Sequence, residues 1–94
     1  MKAMIVDDEQ AIREALGRKL KREGYEVVTC QNGLDAVRAF HTERPDIVIL
    51  DIIMPGGMDG LTVSRRIREV SDTPILMLSA QAITEDDIID GLNA

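Results

Sequence analysis

Four short apolar runs separated by longer amphipathic segments constrain this sequence more than any other feature. They are Ala3 to Val6, Glu26 to Thr29, Ile47 to Leu50 and Ile75 to Leu78. Their length and their β-branched content identify them as strands rather than pieces of buried helix. Three are apolar without a break, which suits parallel strands covered on both faces; Glu26 and Thr29 interrupt the second and place it at a sheet edge. The segments between them repeat with a helical period. In the first, Ile12, Ala15, Leu16 and Leu20 share one face, while Arg13, Glu14, Arg18, Lys19, Lys21 and Arg22 face outward, and the helix ends near Gly24. A second helix is expected from about Gly33 to Thr42, with Val37 and Phe40 inward. A third runs from about Leu61 to Val70, with Val63, Ile67 and Val70 inward and Asp59 as its cap, and a fourth follows Thr84. Strand and helix alternate four times, which gives an α/β fold built on an open parallel sheet with flanking helices and right-handed crossovers.

Composition narrows the partners. The chain has 94 residues, 45% of them apolar, enough for one core but not two. Eleven Lys and Arg stand against 17 Asp and Glu, a formal charge of −6, so neither nucleic acid nor an anionic membrane is an expected partner, and a cation is the more natural ligand. Tyr25 and Phe40 are the two aromatics, too few for base or sugar stacking. A single cysteine, Cys30, cannot make an internal disulfide, and a reducing, cytoplasmic setting is expected. Neither a secretory leader nor a membrane span is read: Asp7, Asp8 and Glu9 cut off the first apolar run, and the longest apolar stretch falls well short of the roughly 20 residues a span needs.

In open parallel sheets ligands gather where strands end. Those positions hold Asp7 and Asp8 after the first strand, Asp51 after the third and Ser79 after the fourth. If the first and third strands are adjacent, the three carboxylates converge, and their repulsion calls for a cation or a proton among them. Hard oxygen donors suit Mg²⁺, which leaves positions open for phosphate; a carboxylate beside it can accept a phosphoryl group, and Ser79 can bond that group. Asp7 and Asp8 also have a plainer explanation as the acidic entry to a helix. Asp51, directly after four aliphatics, has no local hydrogen-bonding reason to be there.

Three motifs carry a resemblance: Ile5-Val6-Asp7-Asp8-Glu9, then Ile49-Leu50-Asp51-Ile52-Ile53-Met54-Pro55 followed by Met58-Asp59-Gly60, and Leu76-Met77-Leu78-Ser79-Ala80. Together they resemble the receiver domain of two-component response regulators, from Met1 to Ala94. The resemblance implies a flavodoxin-like, CheY-like fold, with residues 1–94 as one receiver domain. By it Asp51 is the phosphoacceptor, Asp8 a direct Mg²⁺ ligand, Asp7 an acid acting largely through water, the Ile53 carbonyl a further metal ligand and Ser79 the switch hydroxyl. A sensor histidine kinase supplies the phosphoryl group and the domain catalyses the transfer itself. Gly56-Gly57 lengthens the loop after Pro55 by one residue relative to the family pattern. The family's fifth strand with its lysine, its switching aromatic and its fifth helix are not among these residues, so a receiver incomplete at its C-terminal end is expected, with self-association through the open edge of the fourth strand.

Two other functions compete with the phosphoacceptor switch. A Mg²⁺-dependent phosphohydrolase of the haloacid dehalogenase type also uses an aspartyl nucleophile, but it needs an acid two residues further on, where this chain has Ile53. A non-catalytic, oligomerising or domain-swapped interaction module is the remaining alternative. His41 is read as a structural residue at a helix C-terminus and Arg18, Lys19, Lys21 and Arg22 as a solvated helix end; Cys30 is read as a packing residue and Met4, Met54, Met58 and Met77 as core filler.

Overall fold

A computed structural model describes residues 1–54 and 56–78. The strands are β1 (Lys2–Val6), β2 (Glu26–Cys30), β3 (Ile47–Asp51) and β4 (Ile75–Leu78); the helices are α1 (Gln10–Arg22), α2 (Gly33–Glu43) and α3 (Gly60–Arg68). The strands form one parallel sheet in the order β2-β1-β3-β4. The edge position expected for β2 and the β1–β3 adjacency are both observed. The helix expected after Thr84 lies outside the described residues.

Alternation along each strand splits the core in two. Met4, Val6, Val48 and Leu50 face α2 and α3 and pack with Ala36, Phe40, Val63 and Ile67. Ala3, Ile5 and Ile49 face α1 and pack with Leu16 and Leu20. All four residues from Ala3 to Val6 are fully buried, so β1 is covered on both faces, as its unbroken apolar run requires.

Local chemistry sets the helix ends. Asn32 caps α2 by accepting from the Asp35 N–H at 2.8 Å, and Asp59 caps α3 by accepting from the Thr62 N–H at the same distance. Arg44 closes α2 with a left-handed backbone, φ 47°, just before Pro45. Two expectations are corrected. The helix α3 stops at Arg68, and Val70, expected inward, is 61% exposed; the N–H groups of Val70 and Ser71 both turn back to the Ile67 carbonyl, which tightens the end and rotates Val70 off the apolar face. Arg13, expected in solvent, is half-buried and bonded to the backbone of the β1–α1 loop.

Candidate functional site

The sheet register builds the site. Val6 lies opposite Leu50 in the β1–β3 ladder, so the next residues, Asp7 just after β1 and Asp51 at the end of β3, stand abreast at one edge of the sheet. Asp8 follows in the same loop. One carboxylate oxygen from each of Asp7, Asp8 and Asp51 lies within 4.8 Å of the other two. Asp7 is 2% exposed and Asp51 9%, whereas Asp8 is open to solvent. The pocket therefore has a buried floor of two acids and one accessible acid at its mouth.

Backbone amides hold the two buried carboxylates. Asp7 Oδ1 accepts from the Glu9 N–H at 2.9 Å, and Asp51 Oδ1 accepts from the Ile53 N–H at 3.2 Å. These short-range bonds each turn the chain out of its strand, and the second corrects the expectation that Asp51 lacks a local hydrogen-bonding role, because its carboxylate accepts from the N–H two residues on. Helix capping does not account for Asp7 and Asp8: α1 begins at Gln10, its cap position is Glu9, and no side chain caps it.

Burial dominates the electrostatics. It pushes the Asp7 carboxyl up from 3.8 to about 6; the Glu9 N–H opposes the rise, while the charges of Asp51 and Asp8 add to it. Asp51 is also raised, first by burial and then by the charge and contact of Asp8, against the pull of the Ile53 N–H. Two buried acids that hold their protons more tightly than usual, with the oxygens of all three this close, make a socket for a divalent cation.

The floor is rigid on the far side. The Asp7 N–H donates to the Cys30 carbonyl at 3.1 Å at the end of β2, and the Ile52 N–H donates to the Leu78 carbonyl at 3.2 Å at the end of β4. The Gly60 N–H donates to the Ile52 carbonyl at 2.9 Å. A Cβ at Gly60 would collide with the Asp51 carbonyl oxygen and stand 2.7 Å from the Ile52 Cα, so only glycine lets α3 start against the back of the acid-bearing strand. The two loop glycines Gly56 and Gly57 have φ of 93° and 86°, a left-handed path between Met54 and the α3 cap that side chains resist. The longer loop leaves the junction at Asp51 intact.

Asp7, Asp8 and Asp51 are thus brought together. Ile53 stands next to them, its side chain 68% exposed and its N–H bound to Asp51. Ser79 lies outside the described residues. Cys30 is buried, and burial pushes its thiol up to about 11, in keeping with packing rather than reactivity. His41 sits in the last turn of α2, edge-on to Phe40. The roles of two contributors were not read from the sequence. Gly60 was read only as the last residue of the Met58-Asp59-Gly60 motif, with no role of its own. Arg13 gave a faint signal, a cation in the opening turn of a helix, where the dipole favours acids.

Comparison with known proteins bears on this geometry. The response regulator receiver domain family matches residues 3–94. The chain belongs to the response regulator receiver domain family. It is 49% identical over 87 residues to the probable transcriptional regulator ycf27 of Guillardia theta, covering 93% of this chain and 34% of that protein. It is 42% identical over 91 residues to the transcriptional regulatory protein CseB of Streptomyces coelicolor, covering 97% and 38%. The receiver thus spans about a third of the length of the curated relatives it matches. Among solved structures, the chemotaxis protein CheY4 of Vibrio cholerae superposes with a TM-score of 0.89 at 27% identity, covering 98% of this chain and 95% of that one. The response regulator TrrA of Thermotoga maritima, solved in complex with Mg²⁺-BeF, superposes with a TM-score of 0.88 at 32% identity, covering 98% and 96%. The receiver is a signalling domain of two-component systems rather than a turnover enzyme, and its acid pocket fits the Mg²⁺ that receiver domains bind. Among the described residues no helix is long and apolar enough to cross a membrane.

Proposed function

We propose that residues 1–94 act as one receiver unit in the cytoplasm, in which Asp51 accepts a phosphoryl group from the phosphohistidine of a sensor histidine kinase. The observation that carries this reading is the meeting of Asp7, Asp8 and Asp51 at the carboxyl edge of β1 and β3, two of them buried. Three carboxylate oxygens within 4.8 Å of one another suit a shared Mg²⁺; by the family resemblance Asp8 and Asp51 would hold it directly and Asp7 would reach it through water. The Ile53 carbonyl, in the residue whose N–H holds Asp51, would complete the protein's ligands. Bound there, Mg²⁺ supplies positive charge that offsets the acids and the transferring oxygens.

Each residue then has a task. An Asp51 oxygen attacks phosphorus, the bond from phosphorus to the kinase imidazole nitrogen breaks, and the nitrogen keeps the electron pair; the product is an acyl phosphate. The Ile53 N–H fixes one oxygen of the Asp51 carboxylate. Asp7 stays beneath, bound to Glu9, and does not compete as acceptor. Ser79, by its place after β4, bonds the transferred group. Ile53 also speaks against a phosphohydrolase: its apolar side chain occupies the position where an acid would activate water. The curated relatives are transcriptional regulators, and this supports a role as the input of a longer regulator of that kind.

Intact mass after incubation with Mg²⁺ and acetyl phosphate tests the proposal. The chain is expected to gain one phosphoryl group, and Asp51→Asn none. Equal uptake by both chains, or uptake unaffected by EDTA, would overturn it.

A further inference from the structure

The β1–α1 loop carries two of the three acids, and it is pinned from behind. One terminal nitrogen of the Arg13 guanidinium donates to the Asp7 carbonyl at 2.6 Å, a short charge-assisted bond from a half-buried side chain. That carbonyl belongs to the peptide joining Asp7 to Asp8. The preceding peptide is held by the Asp7 N–H on the Cys30 carbonyl, so both peptide planes around Asp7 are fixed, the first by β2 and the second by α1. The guanidinium does this from the backbone side: the charges that act most on the Asp7 carboxyl are those of Asp51, Asp8 and Glu9. Arg13 is the fourth residue of α1, where a cation opposes the helix dipole, so its place is explained by the bond it makes and not by the helix that bears it.

We propose that Arg13 is a positioning residue for cation binding: by fixing the Asp7–Asp8 peptide plane it aims the Asp8 side chain at the pocket. The inference rests on reading the acid pocket as a Mg²⁺ site. Two physical effects of removing Arg13 have opposite signs, which makes the idea testable. Loss of a nearby positive charge strengthens cation binding. Loss of the bond frees the peptide plane and weakens it, by about tenfold if Arg13 matters as much as the partners that orient metal ligands elsewhere.

The experiment is calorimetric titration of the chain with MgCl2, beside Arg13→Met, Arg13→Gln and Arg18→Met. Arg18 lies on the same helix and is exposed, so Arg18→Met removes a charge without touching the loop. The expected result is about tenfold weaker binding in Arg13→Met, partial rescue in Arg13→Gln, which keeps a donor but no charge, and unchanged or slightly tighter binding in Arg18→Met. Amide exchange gives a second readout: the Asp8 N–H, in the peptide that Arg13 holds, should exchange faster in Arg13→Met. Should Arg13→Met fail to fold by circular dichroism, Arg13→Gln carries the comparison. Binding in the Arg13 variants as tight as in the unaltered chain overturns the inference and leaves the Mg²⁺ site standing. No binding by the unaltered, folded chain overturns both.

Discussion

At the scale of single residues, Asp7 carries the most unusual chemistry. Its folded pKa of about 6 stands above the ordinary 3.8, so between roughly pH 4 and pH 6 the folded chain holds a proton that the unfolded chain has released. Stability from this group is complete below pH 4 and is lost as pH rises to 6 and beyond, an effect of up to about 3 kcal/mol. Asp51 is shifted in the same direction. In EDTA, Asp7→Asn is therefore expected to raise the urea midpoint at pH 7, with the gain shrinking toward pH 4. A gain independent of pH would refute the cause given. The buried acids destabilise the fold at neutral pH, and a bound cation would offset this.

At the scale of elements, the junction from β3 to α3 joins the site to the scaffold. Gly60→Ala would drive a methyl group into the Asp51 carbonyl and the Ile52 Cα, backbone atoms that cannot step aside. About 1–3 kcal/mol of stability should be lost, together with Mg²⁺ affinity, because the displaced atoms belong to Asp51. Asp59→Ala removes the α3 cap, which is exposed and accepts from Thr62; it should lower stability by about 1 kcal/mol and leave Mg²⁺ binding alone. Urea unfolding and Mg²⁺ titration of the two variants separate these effects, and equal losses of affinity would contradict the assignment.

These junctions also mark how far the sequence could be read. The strands were legible because burial on both faces leaves unbroken runs such as Ala3 to Val6, and Asp51 was legible because it breaks such a pattern. Val70 was misjudged because apolar spacing continues past the point where the tightened turn after Arg68 ends the helix. The roles of Gly60, named only as part of a motif, and of Arg13 were not legible for a different reason: one is needed for a close approach between backbones, the other for a side chain folding back on a loop, and periodicity records neither.

At the scale of the whole molecule, the acid pocket and the two cores are coupled, because the residues that bear the acids extend the most buried strands. Whatever binds the pocket in the folded state alone stabilises the fold by mass action, about 2.7 kcal/mol at a hundredfold excess over Kd. For a domain of this size that corresponds to a rise in Tm of more than about 10 °C. Thermal unfolding in MgCl2 should show this rise, and Asp8→Asn should show much less of it. A rise of the same size in Asp8→Asn would place the ion elsewhere.

The strand order has a consequence for how the chain is made. Of the four described strands, β1 leaves a ribosome earliest, yet it sits in the interior of the sheet between β2 and β3. Its first neighbour is complete only when Cys30 has emerged and its second only with Asp51. Until then an apolar segment open along both edges waits in the nascent chain, the condition in which pairing with another chain competes with folding. The acids that follow it keep that waiting segment in water, and the residues that later hold the ion thus act first as a solubilising flank.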